Sequence, residues 1–304
     1  MLTGMYVSIP WTSPFEGMDG AVQRGSDWGI RGWRRVPHYL RESWRVHRAA
    51  GDLLVMTAGM EVFFLSLFSL FSRRTLVVYD FLRPQTHWAV PLGRVLLRRV
   101  DRWLVIRSSD TAVLADLFRV PARRCEFVPF PGRASDVDPT LGGYVYAAGI
   151  AHRDWPTLLA AARMSGVPFI VSAEPRLADV PSNVDSRALV PPGEGRRLAA
   201  GARLVVVPLH DTTLPSGPLV VVDSQATGKA VIASDVGGTR DYVEHRRTGW
   251  LVAPGDAGVL ADAISDVFED VATLERVGRT AAHAVLGPAA CFARARRAAQ
   301  PDER

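Results

Sequence analysis

The fold is decided by residues 203–256, which read RLVVVPLHDTTLPSGPLVVVDSQATGKAVIASDVGGTRDYVEHRRTGWLVAPGD. Three apolar runs, at 204–208, 230–233 and 250–252, are rich in Val, Ile or Leu and are each followed by turn-forming residues. Strands that are buried on both faces of a sheet have this pattern. Between the first two runs, an unbroken stretch covers 219–227 and indicates a helix. The order strand, loop, helix, strand predicts a parallel sheet covered by helices.

The loop before this helix has the residues of a helix start. Ser216 is a good N-cap, Pro218 suits the first turn, and Gly228 suits the C-terminal stop. In a parallel sheet this loop lies at the carboxyl end of the strands, where free backbone N–H groups and the positive end of a helix dipole meet. The sequence therefore predicts a site for an anionic ligand such as a diphosphate.

Residues 216–256 resemble the donor-binding core of the family 4 glycosyltransferases, which are retaining enzymes of the GT-B fold. The family has two glutamates separated by seven residues, then an Ala-rich helix end, a Gly-Gly turn and a Thr-Gly-x-Leu-Val-x-Pro-Gly-Asp run. Asp223 takes the place of the second glutamate, and Gly237-Gly238 and residues 248–256 fit the later motifs. Pro215 stands at the position of the first glutamate, so this chain departs from the family there.

The resemblance implies an α/β protein of the GT-B fold, with two Rossmann-like parallel-sheet domains facing a central cleft. It implies a hexosyltransferase that moves a sugar from a nucleotide-diphosphate donor to an acceptor hydroxyl, with retention of configuration and without a metal. No cofactor is expected beyond the donor substrate. The acceptor class stays open among small molecules, lipids and glycans.

Alternating strand and helix patterns also precede the donor core and predict a parallel, helix-covered sheet in the first half of the chain. Residues 100–132 resemble the last third of the family's first domain, whereas its opening strand and glycine-rich loop are not recognisable, so this domain is short or remodelled. A composition change at 131–143 marks a boundary. We expect a first domain at 1–134, a nucleotide-sugar domain at 135–286, and a tail at 287–304 that crosses back to the first domain in the family.

The individual elements follow from the apolar runs and the turn residues between them. Strands are predicted at 52–57, 75–80, 103–108, 125–129, 144–149, 168–172 and 187–190. Helices are predicted at 61–72, 91–99, 110–118, 154–164, 257–269, 274–285 and 289–299. Residues 191–193 (Pro-Pro-Gly) are predicted to form a turn, and residues 1–33 give no element.

The resemblance also implies which residues hold the donor diphosphate. The family has a strand, a Gly-Arg pair and, after a few residues, a lysine. Gly149 fits, Ile150 stands at the arginine position, and Arg153 stands where the lysine lies, with His152 beside it. Ser216 and Gly217 supply backbone amides. The alternative for Arg153 is an arginine that caps its loop and binds no ligand.

The nucleotide is expected at five positions, namely Leu189, Val190, Pro218, Leu219 and Asp223. By resemblance, the backbone near Leu189–Val190 lies against the base, and Asp223 hydrogen-bonds the ribose hydroxyls. Aspartate is one methylene shorter than the family's glutamate, so the alternative is a surface or capping carboxylate.

The transferred sugar and the acceptor have weaker signals. The sugar hydroxyls meet the first glutamate in the family. Here Asp211, Thr212 or the backbone at Pro215 is expected to take its place, and the alternative is that no group replaces it. For catalysis we expect Asp80, at the carboxyl end of a strand, as an acceptor contact or general base. His87, in the loop that follows, is the second candidate, and the alternative is a solvent-exposed histidine.

Charge and composition bound the partners. The chain has 304 residues and a net charge of +5, and residues 1–134 hold 19 basic against 11 acidic residues. The two cysteines are isolated and make neither a metal motif nor a disulfide framework, which fits a cytoplasmic protein. No nucleic-acid-binding motif accompanies the basic half, so no nucleic-acid partner is expected.

A helix is predicted within residues 34–50, with Val36, Leu40, Trp44 and His47 on one face and arginines mostly off it. Two interpretations stand: the helix packs on the first domain, or it rests on the inner face of a membrane. Residues 53–72 reach membrane-spanning length, but Gly59 and Glu61 favour a strand followed by a helix.

Two other classes of function compete with the transferase. A degenerate relative would bind nucleotide or a partner without turnover, consistent with Pro215, Ile150 and the absence of the family's histidine at 78–80. A doubly wound dehydrogenase is disfavoured because no Gly-x-Gly-x-x-Gly follows a strand.

Overall fold

The computed structural model describes residues 4–7, 21–23, 35–48, 53–72, 75–82, 89–211 and 216–298. The chain forms two compact units. The first contains residues 1–129 and 289–304, and the second contains residues 130–288. The boundary therefore falls at 129/130, where the composition change had predicted 134/135.

In the described part of the first unit, six parallel strands form one sheet in the order β2-β1-β3-β4-β5-β6. The strands are β1 (Gly4–Val7), β2 (Ala21–Gln23), β3 (Leu53–Ala58), β4 (Leu76–Phe81), β5 (Arg102–Val105) and β6 (Cys125–Phe127). The helices are α1 (Arg35–His47), α2 (Glu61–Phe68), α3 (Ala89–Leu96), α4 (Asp110–Phe118) and the C-terminal α10 (Pro288–Ala298). Alternation of strand and helix gives the parallel sheet that the sequence predicts.

Helix α10 is tied to the first unit by hydrogen bonds at the end of its sheet. The Tyr79 hydroxyl and the Cys291 thiol both donate to the carbonyl of Pro129, at 2.9 and 3.0 Å. Arg294 donates to the carbonyl of Phe127 at 3.1 Å. Because Tyr79 and Cys291 are buried, these bonds satisfy polar groups that would otherwise destabilise the unit.

The second unit holds the stretch that decides the fold, and its six parallel strands have the order β12-β11-β10-β7-β8-β9. The strands are β7 (Val145–Gly149), β8 (Phe169–Ala173), β9 (Val184–Ala188), β10 (Leu204–Val207), β11 (Val231–Ser234) and β12 (Trp250–Val252). The helices are α5 (Trp155–Ser165), α6 (Pro192–Gly201), α7 (Pro218–Ala226), α8 (Ala257–Phe268) and α9 (Val271–Ala284). The prediction of an α/β protein with two parallel-sheet units is confirmed.

Both faces of this second sheet are covered, as its apolar runs predict. Along β7, Val145 and Ala147 pack in one core with helices α5 and α8, whereas Tyr146 and Ala148 pack in a second core on the other face. Every residue of β10 and β11 is buried. The continuous Val-rich runs are therefore explained by burial on two sides rather than one.

Three expectations differ from the structure. Residues 191–193 do not form a turn, because Pro192 begins helix α6; a proline at the first helical position needs no hydrogen-bond partner for its nitrogen. Within 1–33, where no element was expected, β1 and β2 extend the first sheet. The third difference concerns helix α1.

The face of α1 that was interpreted as packing on the first domain is exposed: Val36, Leu40 and Trp44 have exposed fractions of 45%, 37% and 51%. The buried face instead carries Ser43 and Val46. Ser43 is small, and its hydroxyl donates to the carbonyl of Glu61 in α2 at 3.3 Å, so the closest approach of the two helices selects this face.

Candidate functional site

The candidate site lies where the strand order of the second sheet reverses. The chain runs outward from β7 through β8 to β9, and then returns to the other side of β7 to form β10. The loops after β7 and β10 therefore leave the carboxyl edge side by side and diverge. Ligands of open α/β sheets bind at this switch point.

Backbone hydrogen bonds join the two loops. The amide of Asp154 donates to the carbonyl of Pro208 at 3.2 Å, and the amide of His210 donates to the carbonyl of His152 at 3.0 Å. Between them, Arg153 and Leu209 form an isolated antiparallel bridge. These contacts fix the backbone of Arg153, a predicted diphosphate ligand, at the switch point.

Arg153 is 9% exposed, and its guanidinium is held by backbone carbonyls. Its Nε donates to the carbonyl of Ala148 at 2.9 Å, and its Nη1 donates to that of Ala151 at 3.1 Å. Burial lowers the pKa of Arg153 to about 10, so the group stays charged at neutral pH. Within the described residues no carboxylate pairs with it and no acceptor contacts Nη2. Because a buried charge is costly without a counter-ion, Arg153 is a candidate ligand for an anion.

Gly149 makes room for this guanidinium. Its φ is +139°, and a Cβ built there would lie 2.5 Å from Nε of Arg153. Any side chain at this position would push the arginine away. The predicted residues Gly149 and Arg153 therefore depend on each other sterically.

The start of helix α7 approaches the same loop, although its cap differs from the prediction. Ser216 is not the N-cap, because the helix begins at Pro218 after Gly217, which has a φ of +94° and makes no side-chain cap bond. A Cβ on Gly217 would lie 2.6 Å from Leu209, the residue bridged to Arg153. The predicted diphosphate residues before α7 and after β7 thus both adjoin Leu209.

The first turn of α7 presents unpaired amides, as the sequence predicts. Among the described residues, no acceptor contacts the N–H groups of Leu219 and Val220, which precede the first intrahelical bond from Val221 to Gly217. The Gly237–Gly238 turn packs behind them: a Cβ on Gly238 would lie 2.2 Å from the carbonyl oxygen of Ser216. The loop after β11 therefore fixes where α7 begins.

Asp223, the predicted ribose ligand, lies in the second turn of α7. Its Oδ1 accepts the backbone amide of Arg133 at 2.8 Å, and its Oδ2 lies 3.6 Å from Nη1 of Arg196 in α6. Burial raises its pKa, against the opposing effect of these two partners. About a quarter of the side chain is exposed, 24%, so the carboxylate reaches the surface of the unit.

The predicted base-binding residues lie near the same helix pair. The amide of Val190 donates to the hydroxyl of Ser172 at 3.1 Å, which fixes the backbone between β9 and α6. Helix α6 begins two residues after Val190 and carries Arg196, the partner of Asp223. The sequence analysis missed Arg196 because it placed a turn where α6 begins.

A second missed feature is a histidine in the loop after β10. Nδ1 of His210 lies 3.7 Å from Oδ2 of Asp154, and its side chain is 56% exposed. Asp154 is buried and caps α5 by accepting the amide and hydroxyl of Thr157 at 3.1 and 2.7 Å. His210 is thus an accessible side chain beside Asp154, in the loop that is bridged to Arg153. Its position at the end of an apolar run was the available sequence signal.

Two of the remaining predicted residues, Asp80 and Asp211, lie within the described part of the chain. Asp80 is the last residue but one of β4 in the first unit, where it is 4% exposed and has a φ of +56°. Asp211 is exposed at the end of a described segment. His87, Thr212 and Pro215 lie outside the described residues, so their predicted roles stay predictions.

The described residues contain neither a cluster of metal-binding side chains nor a helix that could span a membrane. No group of three or more His, Cys, Asp or Glu side chains is placed to hold a metal ion. No described helix combines the length and the apolar character needed to cross a membrane, and the apolar stretch at 53–72 is divided between β3 and α2.

Comparison with known proteins shows what this architecture resembles. The solved structure of Anabaena Alr3699/HepE in complex with UDP superposes with a TM-score of 0.70 and 15% identity, covering 98% of this chain and 99% of that one. Sucrose-phosphate synthase from Thermosynechococcus elongatus gives 0.67 and 17% identity, covering 91% and 82%. The fold is that of the GT-B glycosyltransferases.

Sequence comparison finds a family match within the second unit, which holds the candidate site. Residues 194–270 match the family model described as "Glycosyl transferases group 1". The D-inositol 3-phosphate glycosyltransferase of Paenarthrobacter aurescens is 37% identical over 92 residues, which cover 30% of this chain and 22% of that protein. The match thus spans about a fifth of the curated relative's length. The family model covers α7 and most of α6.

Proposed function

We propose that the protein is a glycosyltransferase that moves a sugar from a nucleotide-diphosphate donor to an acceptor hydroxyl. The observation that carries the proposal is the buried guanidinium of Arg153 at the switch point, without a carboxylate partner among the described residues. The match of residues 194–270 to glycosyl transferases group 1 supports the reaction class. The hexosyltransferase type belongs to the same proposal.

A uridine diphosphate sugar is the donor to test first. HepE, which shares the fold, has been crystallised with UDP and with UDP-glucose. In this chain the diphosphate would face Nη2 of Arg153 and the amides of Leu219 and Val220. Asp223 would accept from the ribose hydroxyls, and the backbone at Leu189–Val190 would border the base.

These groups also supply the chemistry. As the bond from the sugar to the diphosphate breaks, negative charge builds on the departing phosphate oxygens. A fixed guanidinium and oriented amides stabilise that charge more strongly than they stabilise the bound donor, and this lowers the barrier. Because they are held by backbone contacts before the donor binds, little reorganisation is needed.

We infer that transfer proceeds with retention and without a metal, as the family 4 resemblance implies. Arg153 and the α7 amides would take the role that a divalent cation has in other transferases. Activity unchanged by EDTA, and a product whose anomeric configuration matches the donor by NMR, would support both points. Loss of activity in EDTA that is restored by a divalent cation would refute the second.

The sugar and acceptor contacts complete the proposal. Asp211, Thr212 and the backbone of Pro215 are proposed for the sugar hydroxyls, and Asp80 and His87 for the acceptor. Asp80 has a strained left-handed backbone at a strand end, a feature that clusters at functional positions. The expected cytoplasmic location with peripheral membrane contact is also part of the proposal.

A nucleotide-binding protein without turnover is the second candidate. It is favoured by Pro215 in place of a sugar-binding glutamate, and by the two hydrogen bonds that already occupy Arg153. Such a protein would bind UDP through the same residues but would not cleave a sugar donor.

One experiment separates these candidates. A panel of nucleotide sugars is screened by thermal shift, since a ligand that binds only the folded state raises the unfolding temperature. The best donor is then incubated with the protein, and release of free nucleoside diphosphate is measured. Stabilisation with release supports the transferase, and stabilisation without release supports the second candidate. No stabilisation by any nucleotide would refute both.

A further inference from the structure

Two helices of the first unit expose large apolar side chains. On α1 the exposed residues are Val36, Leu40 and Trp44, and at the end of α2 they are Leu67 (45%), Leu70 (44%) and Phe71 (99%). Phe71 follows α2 in a turn and has almost no contact with the rest of the protein. Single exposed apolar residues are ordinary, but a group of this size marks an interaction surface.

The two groups form one surface because their aromatic rings touch. The rings of Trp44 and Phe68 lie 5.3 Å apart in an edge-on arrangement, and Trp44 stacks on His47 at 5.9 Å. Phe68 ends α2, and Leu70 and Phe71 follow directly. We call residues 36, 40, 44, 67, 70 and 71 the α1–α2 surface.

The orientation of α1 is fixed by its buried side. Ser43 and Val46 are 1% and 2% exposed, and the Ser43 hydroxyl bonds to α2. The α2 end is fixed by Arg99, which donates to the carbonyls of Ser69 at 2.7 Å and Ser72 at 2.9 Å. The apolar side chains are therefore held outward by contacts on the opposite side.

Positive charge accompanies the apolar side chains. Residues 35–48 contain four arginines and one acid, Glu42. The Arg41 and Arg45 side chains are 75% and 49% exposed, although both lie within 4 Å of Glu42, and Arg48 is exposed in the last turn. A second copy of this surface would bring the same arginines together, so its charge disfavours self-association and favours an anionic partner.

We propose that the α1–α2 surface binds an anionic lipid bilayer, with α1 lying in the interface plane. Phe71, Leu70 and Leu67 enter the boundary between headgroups and acyl chains, Trp44 lies at headgroup level, and Arg41 and Arg48 contact lipid phosphates. This inference rests on the peripheral membrane contact of the proposed function and assigns its surface and its lipid. It concerns the first unit and holds whichever donor the second unit binds.

The test is sedimentation of the full chain with two kinds of vesicle. One contains phosphatidylcholine alone, and the other contains phosphatidylcholine with about 30% of the anionic lipid phosphatidylglycerol. Wild type is expected to bind the anionic vesicles and to lose binding at high salt. Leu70→Ser with Phe71→Ser should lower binding by about tenfold or more, because two exposed apolar side chains no longer enter the bilayer. Arg41→Gln with Arg48→Gln should lower it on anionic vesicles only.

Matched controls come from the second unit. Met164→Ser and Arg163→Gln alter an exposed apolar and an exposed basic residue on α5, and vesicle binding should not change. The unfolding temperature of each variant shows whether it is folded. Stabilisation by UDP is measured as well, so that failure of the donor proposal is distinguished from failure of the membrane proposal. The proposal would be overturned if wild type bound neither kind of vesicle, or if the variants of the α1–α2 surface bound as strongly as wild type. It would also be overturned if wild type formed a dimer in solution and bound no vesicles, and if the variants of the α1–α2 surface were monomeric.

Discussion

Burial in the folded protein disfavours the charged forms of two ionisable residues of the candidate site, Arg153 and Asp223. Burial lowers the pKa of Arg153 and raises that of Asp223, so in both cases the environment opposes the charged form. Arg153 donates to the backbone carbonyl of Ala148 and Asp223 accepts from the backbone amide of Arg133, and these bonds keep each side chain in place. Such groups destabilise a protein unless a ligand completes their partners, which is the usual state of a binding site before its ligand arrives.

Replacing Arg153 should separate phosphate recognition from nucleoside recognition. Arg153→Gln keeps a donor near the Ala148 carbonyl but removes the charge, so UDP should bind about tenfold or more weakly, whereas uridine should bind nearly as before. Calorimetry with both ligands measures this difference. Arg163→Gln, an exposed arginine on α5, serves as the control. An equal loss for UDP and uridine would contradict the assignment of Arg153 to the diphosphate.

Replacing Asp223 should change how the stability of the protein depends on pH. Because its pKa is raised in the folded state above 3.8, folding takes up a proton between the two values, and its contribution becomes unfavourable as pH rises through that window. Asp223→Asn should therefore unfold at a temperature equal to or above that of wild type at pH 7, and this advantage should shrink as pH falls toward 4.

The same variant should bind uridine and UDP more weakly by a similar factor, since the ribose is common to both. Thermal unfolding at pH 4, 5, 6 and 7 and calorimetry at pH 7 provide the two measurements. A variant that is less stable than wild type at pH 7, with unchanged affinity, would show that Asp223 is a structural partner of Arg133 and Arg196.

At the scale of elements, much of the second unit could be predicted because local signals agree with burial. Runs of Val and Ile gave the strands, and Asp256 and Asp270 cap the helices that follow them by accepting the amides of Val259 and Thr273. Gly228 ends α7 as predicted: its amide bonds to Gln225, and that of Lys229 bonds to Ser224. At these positions the local sequence is enough to predict the strand, the helix cap or the helix end.

Elements that depend on distant contacts were missed. Helix α6 has the sequence PGEGRRLAAG, whose prolines and glycines favour a turn, and it is stabilised by burial of Ala199 and Ala200 against the sheet. The exposed face of α1 could not be predicted either, because its hydrophobic pattern favoured the wrong side. At the candidate site, the neighbourhood of Gly149, Arg153 and Ser216 could be predicted from the resemblance, but the partners of Asp223 and His210 could not.

A pair of glycine substitutions tests how the start of α7 is held. Gly238→Ala places a Cβ 2.2 Å from the Ser216 carbonyl, a backbone atom that cannot move alone, so the variant should lose about 1–3 kcal/mol of stability. UDP binding should fall as well, because the α7 amides shift. Gly193→Ala is the matched control: its Cβ meets nothing within 4 Å on a helix, and stability should be unchanged or rise by about 0.5–1 kcal/mol. Denaturant titration measures both.

At the scale of the whole molecule, each unit has its own core. Apolar residues on both faces of the second sheet pack within residues 145–277, and a separate cluster packs around Trp103 and Phe63 in the first unit. The basic excess and the exposed apolar surface lie in the first unit, whereas Arg153, Asp223 and the α7 amides lie in the second. The residues proposed to bind the donor and the exposed apolar surface thus belong to separate cores.

This division predicts that residues 130–288 fold alone and bind UDP. The ends of the segment meet, since the amide of Gly132 donates to the carbonyl of Leu286 at 3.0 Å, and Phe130 donates to the hydroxyl of Tyr242 at 3.2 Å. A fragment of these residues should unfold cooperatively by circular dichroism, and its affinity for UDP should lie within about threefold of the full chain, or roughly 0.7 kcal/mol. The fragment carrying Arg153→Gln is the control and should lose UDP affinity as the full chain does. A folded fragment that does not bind UDP would show that the first unit contributes donor contacts, and an unfolded fragment would show that the two cores are not independent.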